Sequence, residues 1–247
     1  GTSTVWVIGV AECGAGQRSV MRTIIMTGMC GRFVLFTSGQ DLFDQVATLP
    51  GVREVVAPDG TPPPRYNVSP TQQVPLIRLE GDTAQIDAAR WGLLPTWKKD
   101  DTGAPLFNAR GETVAEKSSF RSAFKARRGL MVLDGYYEWK TDGTDKQPYY
   151  VRPESGLLYA AALWETGLDR LSTTMVTTEA TENMSWLHHR LPLFLAPEEI
   201  RTWVEGTPEE ALALVAPSRV AGSFVWQEAD KAVGNVRNDY AELMSAK

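Results

Sequence analysis

Residues 130–178, LMVLDGYYEWKTDGTDKQPYYVRPESGLLYAAALWETGLDRLSTTMVTT, decide the fold class. Four apolar or aromatic runs, at 130–139, 149–152, 157–164 and 173–178, are separated by short polar breaks. Such runs read as strands, and Asp142-Gly143 is turn composition between the first two. Parallel neighbours need a crossover of a dozen or so residues, usually a helix. The breaks are too short for that, so the sheet is expected to be mainly antiparallel. With helices elsewhere in the chain, the class is α+β.

Upstream of this stretch, residues 112–128 predict the best helix in the chain. Phe120 and Phe124 lie four apart on one face, Gly129 reads as the stop, and Lys117, Arg121, Lys125 and Arg128 form a basic stripe. Such a stripe also reads as the solvated side of an amphipathic helix. Residues 73–79 and 84–91 predict paired strands around the turn Glu80-Gly81-Asp82, and 31–37 predicts another strand. A short helix is expected over 41–49. Prolines at 62–64 lead into the extended segment Arg65-Tyr66-Asn67-Val68-Ser69-Pro70. Downstream, Thr207-Pro208-Glu209-Glu210 reads as a capped helix start. No internal repeat is visible, and no linker divides the chain after Cys30. Residues 1–29 show no sustained period and read as a leader, a tag remnant or a mis-assigned start, with one domain over 30–247.

The chain has 247 residues, 43% of them hydrophobic, which supports a full core without covalent staples. Cys13 and Cys30 are too few for a disulfide framework, so an intracellular, reducing setting is expected. No apolar run reaches the length of a membrane span, and a soluble, cytoplasmic protein is expected. The formal net charge of −5 argues against a protein that coats nucleic acid non-specifically. Contact with a polynucleotide would need a local basic groove on an acidic body.

Several polar groups stand out. Glu138 sits among aromatics in Gly135-Tyr136-Tyr137-Glu138-Trp139. It reads either as a half-buried carboxylate suited to proton transfer or as a glutamate on the wet face of an edge strand. His188 and His189 are the only histidines, and one of them is the natural acid–base partner for a site or else a surface loop residue. Two histidines and one well-placed cysteine lack metal-ligand spacing, so neither metal nor cofactor is expected. Asn108-Ala109-Arg110 precedes the expected helix, where an arginine grips phosphate well; a turn asparagine and a solvated arginine are the alternative. Trp91, Trp97, Trp139 and Trp164 offer stacking planes or core, and core is expected of Trp164.

Six segments taken in order resemble the SRAP (SOS response-associated peptidase) family, which includes abasic-site processing proteins. They are Met29-Cys30-Gly31-Arg32-Phe33, Arg65-Tyr66-Asn67-Val68-Ser69-Pro70-Thr71-Gln72, and Arg90-Trp91-Gly92-Leu93-Leu94-Pro95 with Trp97. Asn108-Ala109-Arg110-Gly111-Glu112-Thr113, Asp134-Gly135-Tyr136-Tyr137-Glu138-Trp139 and His188-His189-Arg190-Leu191-Pro192 complete the set. The likeness covers nearly the whole chain after residue 29. Leu191 stands where the family more often has methionine, a conservative change. Residues 129–133 lack the cysteine and proline often found there.

The resemblance implies a single domain around a barrel-like sheet with flanking helices, acting as a monomer on single-stranded DNA that contains abasic sites, and nucleoid-associated when bound to damage. It also assigns roles. Cys30, freed of Met29, would offer both its amine and its thiol to the opened sugar, forming an imine that closes to a thiazolidine crosslink. Asn108 would hold the sugar or the cysteine, and Glu138 and His188 would handle protons. Arg32, Arg110 and Arg190 would hold phosphates, with Thr177 nearby and Trp91 near the bases. An α-amino group, with a pKa of about 7.7–8.0, keeps a useful neutral fraction near neutral pH, which a lysine near 10.4 does not. Strand-incising lyase activity and self-processing by the Cys30 thiol are further implied. The alternatives are a cysteine peptidase or amidohydrolase with Cys30 as nucleophile and His188 as base, and a non-covalent single-stranded DNA binder.

Overall fold

The computed structural model describes residues 31–246. The chain runs β1 (Arg32–Leu35), α1 (Gly39–Ala47), β2 (Glu54–Val56), β3 (Arg65–Val68), β4 (Gln73–Glu80), β5 (Thr83–Trp91) and β6 (Asn108–Arg110). It continues through α2 (Arg121–Ala126), β7 (Arg128–Leu133), β8 (Gly135–Asp142), β9 (Asp145–Pro153), β10 (Leu158–Gly167) and β11 (Arg170–Glu179). The last elements are β12 (Arg190–Pro192), α3 (Pro197–Glu205), α4 (Pro208–Ala213) and β13 (Phe224–Glu228).

Five strands close on themselves in the order β11-β10-β7-β4-β5 and back to β11. Four of these contacts are antiparallel, and the fifth, β5 against β11, is parallel. Strand direction cannot alternate all the way round an odd ring, so one parallel contact is obligatory. A second sheet, β13-β9-β8-β1-β3, is antiparallel throughout and leans on the barrel. The rings of Phe33 and Trp91 meet at 5.1 Å and those of Tyr136 and Phe194 at 5.7 Å, so the two sheets share one core. The expected α+β, mainly antiparallel, barrel-like single domain is what the structure holds.

The long run 130–139 is not one strand. It breaks at Asp134 into β7, which belongs to the barrel, and β8, which belongs to the second sheet. The Asp134 carboxylate accepts from the Phe36 and Thr37 amides at 2.7 and 2.8 Å and from Thr37 Oγ1 at 2.7 Å, pinning the end of β1 to this corner. A Cβ on Gly135 would come within 2.6 Å of the Val151 carbonyl, so only glycine fits where the chain changes sheets. The β8–β9 hairpin then turns through Gly143 at φ +59°, the left-handed backbone that a two-residue hairpin loop demands.

The helix expected over 112–128 is a correction. A short 3₁₀ turn at Gly111–Thr113 and irregular turns precede α2, which holds only six residues. Ser118 and Ser119 lie in the gap, and serine competes for backbone hydrogen bonds in a way that favours turns. Gly129 is no helix stop; it lies in β7, where an added Cβ would sit 2.9 Å from the Ile77 carbonyl. Buried Arg128 terminates the helix instead, donating to the carbonyls of Phe124 at 2.7 Å and Trp203 at 2.5 Å. The basic stripe is therefore divided: Lys117, Arg121 and Lys125 are exposed, and Arg128 is inside. At α4 the capping box forms as read, with Thr207 Oγ1 accepting from the Glu210 amide at 3.2 Å and the Glu210 carboxylate accepting from the Thr207 amide at 2.8 Å.

Candidate active site

Met29 and Cys30 lie outside the described residues. The strand that follows them is β1, and its register against β8 pairs Arg32 with Tyr137 and Phe33 with Tyr136. Alternation gives β8 two distinct faces. Tyr137 and Trp139 turn toward a small cluster with Val34, Tyr150, Val233 and Leu243, whereas Tyr136, Glu138 and Lys140 share the face turned toward the barrel. Tyr136 packs in the common core at the closed end of that face. Glu138 stands one row further out and is only 5% exposed. One of its oxygens accepts from the Trp139 amide at 3.1 Å. Of the two readings of this residue, the structure favours the buried carboxylate.

The second half of the site is built around the end of β11. Strand β6 pairs with it in parallel, setting Asn108 beside Met175 and Arg110 beside Thr177, and β12 pairs on the other side, setting Arg190 beside Glu179. Two separate motifs thus converge on five residues of one strand. Arg190 is buried and donates two hydrogen bonds to the Glu112 carboxylate at 2.7 and 2.8 Å. It also donates to the Thr177 carbonyl at 2.9 Å and to Thr177 Oγ1 at 3.1 Å. The forked pair is the strong geometry for guanidinium and carboxylate, and the bond from Arg190 holds the Glu112 carboxyl below its usual pKa.

His188 Nδ1 lies 3.0 Å from the Arg190 amide and 3.3 Å from the Arg190 carbonyl, so one backbone residue offers this nitrogen both a donor and an acceptor. Burial, and then the neighbouring His189, lower its pKa below the ordinary histidine value. The imidazole is therefore neutral near pH 7, with an N–H to donate. The two histidine rings stack at 4.3 Å. The His188 loop reaches the second sheet through Trp186, whose ring meets that of Tyr149 edge-on at 5.0 Å. Tyr149 is the cross-strand partner of Glu138. This contact joins the two halves.

The other expected residues fall into place differently. Arg110 is exposed and open to an anion. Arg32 is half-buried and donates to Asn67 Oδ1 at 3.1 Å and to the Val233 carbonyl at 2.6 Å, and burial lowers its pKa. Thr177 is buried and holds Arg190. Trp91, expected near bases, has no exposed surface; its indole N–H donates to the Phe107 carbonyl at 3.0 Å, and it serves as core between the sheets. Trp164, expected as core, is only partly buried and carries the Arg78 guanidinium 4.9 Å from its ring centre. Trp97 is 61% exposed and is the one of the four tryptophans with a largely free ring.

Sequence reading missed Asn67, which is fully buried. Its amide donates to the carbonyls of Val233, Asn235 and Asn238 at 3.1, 3.1 and 2.8 Å while its oxygen takes Arg32. The available signals were a polar residue inside an otherwise strand-like segment and its place in one of the six segments that carry the resemblance. Among the described residues no cluster of three His, Cys, Asp or Glu side chains is placed to hold a metal ion.

The chain that carries this buried carboxylate, histidine and arginine–carboxylate clamp matches a known family along most of its sequence. The SOS response associated peptidase (SRAP) model matches residues 29–236, and the chain belongs to that family. It is 33% identical over 230 residues to the abasic site processing protein YoaM of Bacillus subtilis, covering 89% of this chain and 99% of that one. It is likewise 33% identical over 224 residues to YedK of Escherichia coli, an abasic site processing protein, covering 87% of this chain and 99% of the other. A crystal structure of a Bacteroides thetaiotaomicron protein shares the fold, with a TM-score of 0.72 at 20% identity over 88% of this chain and all of that one. No helix among the described residues is long and apolar enough to cross a membrane.

Proposed function

We propose that the protein processes abasic sites in single-stranded DNA by capturing the opened sugar on Cys30. The kinship with proteins named for abasic site processing supports the substrate class. The observation that carries the chemistry is the β1–β8 register, which runs the segment following Cys30 alongside the strand of buried Glu138.

In this reading the Cys30 α-amine, once the peptide bond to Met29 is cut, attacks the sugar aldehyde to give a carbinolamine. Loss of water yields an imine, and the Cys30 thiol adds across the C=N bond to close a thiazolidine, its proton passing to nitrogen. Glu138 carries protons during dehydration. His188 donates its ring N–H as the sugar ring opens. Asn108 orients the reacting groups, and exposed Arg110 holds a phosphate. Arg190 serves by fixing the Thr177 end of β11, with Glu112 as its counter-charge. Strand incision at the sugar and release of the residues ahead of Cys30 belong to the same proposal as secondary activities.

The test compares protein starting at Met29 with protein whose Cys30 nitrogen is acylated, each mixed with abasic and intact oligonucleotides and run on denaturing gels. A denaturation-resistant band is expected only for the first protein with abasic DNA, and Cys30→Ala abolishes it. A crosslink formed by the acylated protein contradicts amine capture. Peptide hydrolysis without a crosslink supports the peptidase alternative.

A further inference from the structure

Three aromatic rings stand on the surface beside the site with no role in the chemistry above. Trp186 and Trp226 are 36% and 43% exposed, and Tyr149 is partly buried next to them. Their rings form a chain, Tyr149 to Trp186 at 5.0 Å and Trp186 to Trp226 at 5.6 Å, and the Lys140 ammonium lies 5.5 Å from the Trp186 ring centre. The β8–β9–β13 register explains the assembly. Glu138, Tyr149 and Glu228 are in register across three strands, and Trp226 lies one row in, opposite Val151. The Tyr149 hydroxyl donates to the Glu228 carboxylate at 3.3 Å, which fixes the ring.

The cluster is continuous with the site at both ends. Tyr149 is the cross-strand neighbour of Glu138, and Trp186 precedes His188 by two residues. A strand whose reacting sugar lies between Glu138 and His188 leaves the site past these rings on this side. Large exposed tryptophans on an acidic chain are a poor default surface, but they suit unpaired bases, whose faces stack on any aromatic ring, with a lysine to meet the intervening phosphate. Edge-on packing of Trp186 on Tyr149 and the 50° tilt between the two tryptophans break the patch into separate ring faces rather than one flat apolar face.

We propose that Tyr149, Trp186, Trp226 and Lys140 form a stacking track for the unpaired nucleotides on one side of the reacting sugar. The track rests on the single-stranded DNA reading above. It extends that reading by giving the substrate a flank on which affinity depends.

Binding is read by fluorescence anisotropy on labelled oligonucleotides carrying a tetrahydrofuran abasic analogue, which has no aldehyde and does not react. One oligonucleotide has flanks on both sides, and two others lack one flank each. Trp226→Ala and Trp186→Ala are each expected to weaken binding of the two-flank oligonucleotide about tenfold, with Lys140→Gln a smaller loss. Trp226→Phe, which keeps a ring, restores most of the affinity. The loss is expected to vanish on one of the two truncated oligonucleotides, which identifies the flank lying over the track. Values within about twofold of wild type for both alanine variants on all three oligonucleotides, with wild type still crosslinking abasic DNA, overturn the track alone, and the patch is then a surface for another partner such as a protein. Failure of wild type to crosslink aldehyde-bearing abasic DNA, or to bind any of the three analogue oligonucleotides, overturns the parent reading and the track together.

Discussion

The barrel and the sheet that leans on it are built from the same kinds of hairpin, yet they spend their polar groups differently. In the barrel, hydroxyls are consumed locally: Ser172 Oγ donates to the Glu165 carbonyl at 3.0 Å and Thr173 Oγ1 to the Leu163 carbonyl at 2.9 Å. Strand β7 is buried on both faces, with Trp203 of α3 donating to the Gly129 carbonyl at 3.0 Å across it. The second sheet reaches outward from its own strands. Arg32 and Asn67 hold the carbonyls of a C-terminal segment, Asp134 holds the exit of β1, and Glu138 stands at the open row of the barrel-facing side. The closed ring supplies rigidity, and the chemistry is assembled at its margin from segments that the ring holds in place.

That division predicts that changes in one region cost reaction and changes in the other cost folding. The largest separation is expected from Glu138→Gln. It should slow crosslinking by about 10²–10⁴-fold, the usual contribution of a positioned proton carrier. Binding of the unreactive analogue should change far less. Equal losses in rate and affinity would remove Glu138 from proton transfer. Next, Ile77→Ala in the barrel is expected to cost about 2–5 kcal/mol of unfolding free energy, read by urea denaturation, with crosslinking per folded molecule preserved. A selective loss of reaction there would break the division.

Glu112→Gln sits between the two regions, because it takes the counter-charge from buried Arg190. With the Glu112 side chain 41% exposed, the expected cost is only about 1–2 kcal/mol. Its pH dependence has a definite sign. The folded carboxyl is held below its ordinary pKa by Arg190, so its stabilisation is complete above the unfolded value and disappears as pH falls through the lowered folded one. Wild type and Glu112→Gln should therefore converge in stability in acid; a gap that widens would contradict the clamp. The smallest effect concerns His188. Its folded pKa is depressed, so its contribution is present above the unfolded value of about 6.5 and is lost as pH falls through the folded one. An NMR titration should place its midpoint below that of a free histidine.

Strand content was largely legible because alternating and continuous apolar runs survive in any sheet. Membership of a sheet was not. Residues 130–139 carry no periodicity break at Asp134, and the change of sheet depends on three hydrogen bonds from residues about a hundred positions away. The mistaken helix has a similar cause. Phe120 and Phe124 do share a face, but Arg128 and Gly129 are needed by α3 and β4, and tertiary demand overrides local preference. The polar residues of the site were recognisable by type, whereas their partners were not. Glu112 for Arg190, the Arg190 amide for His188, and Tyr149 for Glu138 all come from pairings that sequence spacing leaves open. Trp91 shows the opposite case, an indole of stacking type that the fold uses as core.

The single parallel contact in the barrel has a bearing on biosynthesis. Only Arg90 with Ser172 and Trp91 with Thr173 bridge β5 to β11, and those partners are made far apart in time on a ribosome. Until β11 has cleared the exit tunnel, β4, β5 and β7 form an open ribbon with an unsatisfied border, the kind of edge that recruits neighbouring chains. Nascent chains stalled ahead of β11 should therefore be the forms most dependent on chaperones, and the last strand of the ring acts as the latch that ends this vulnerability.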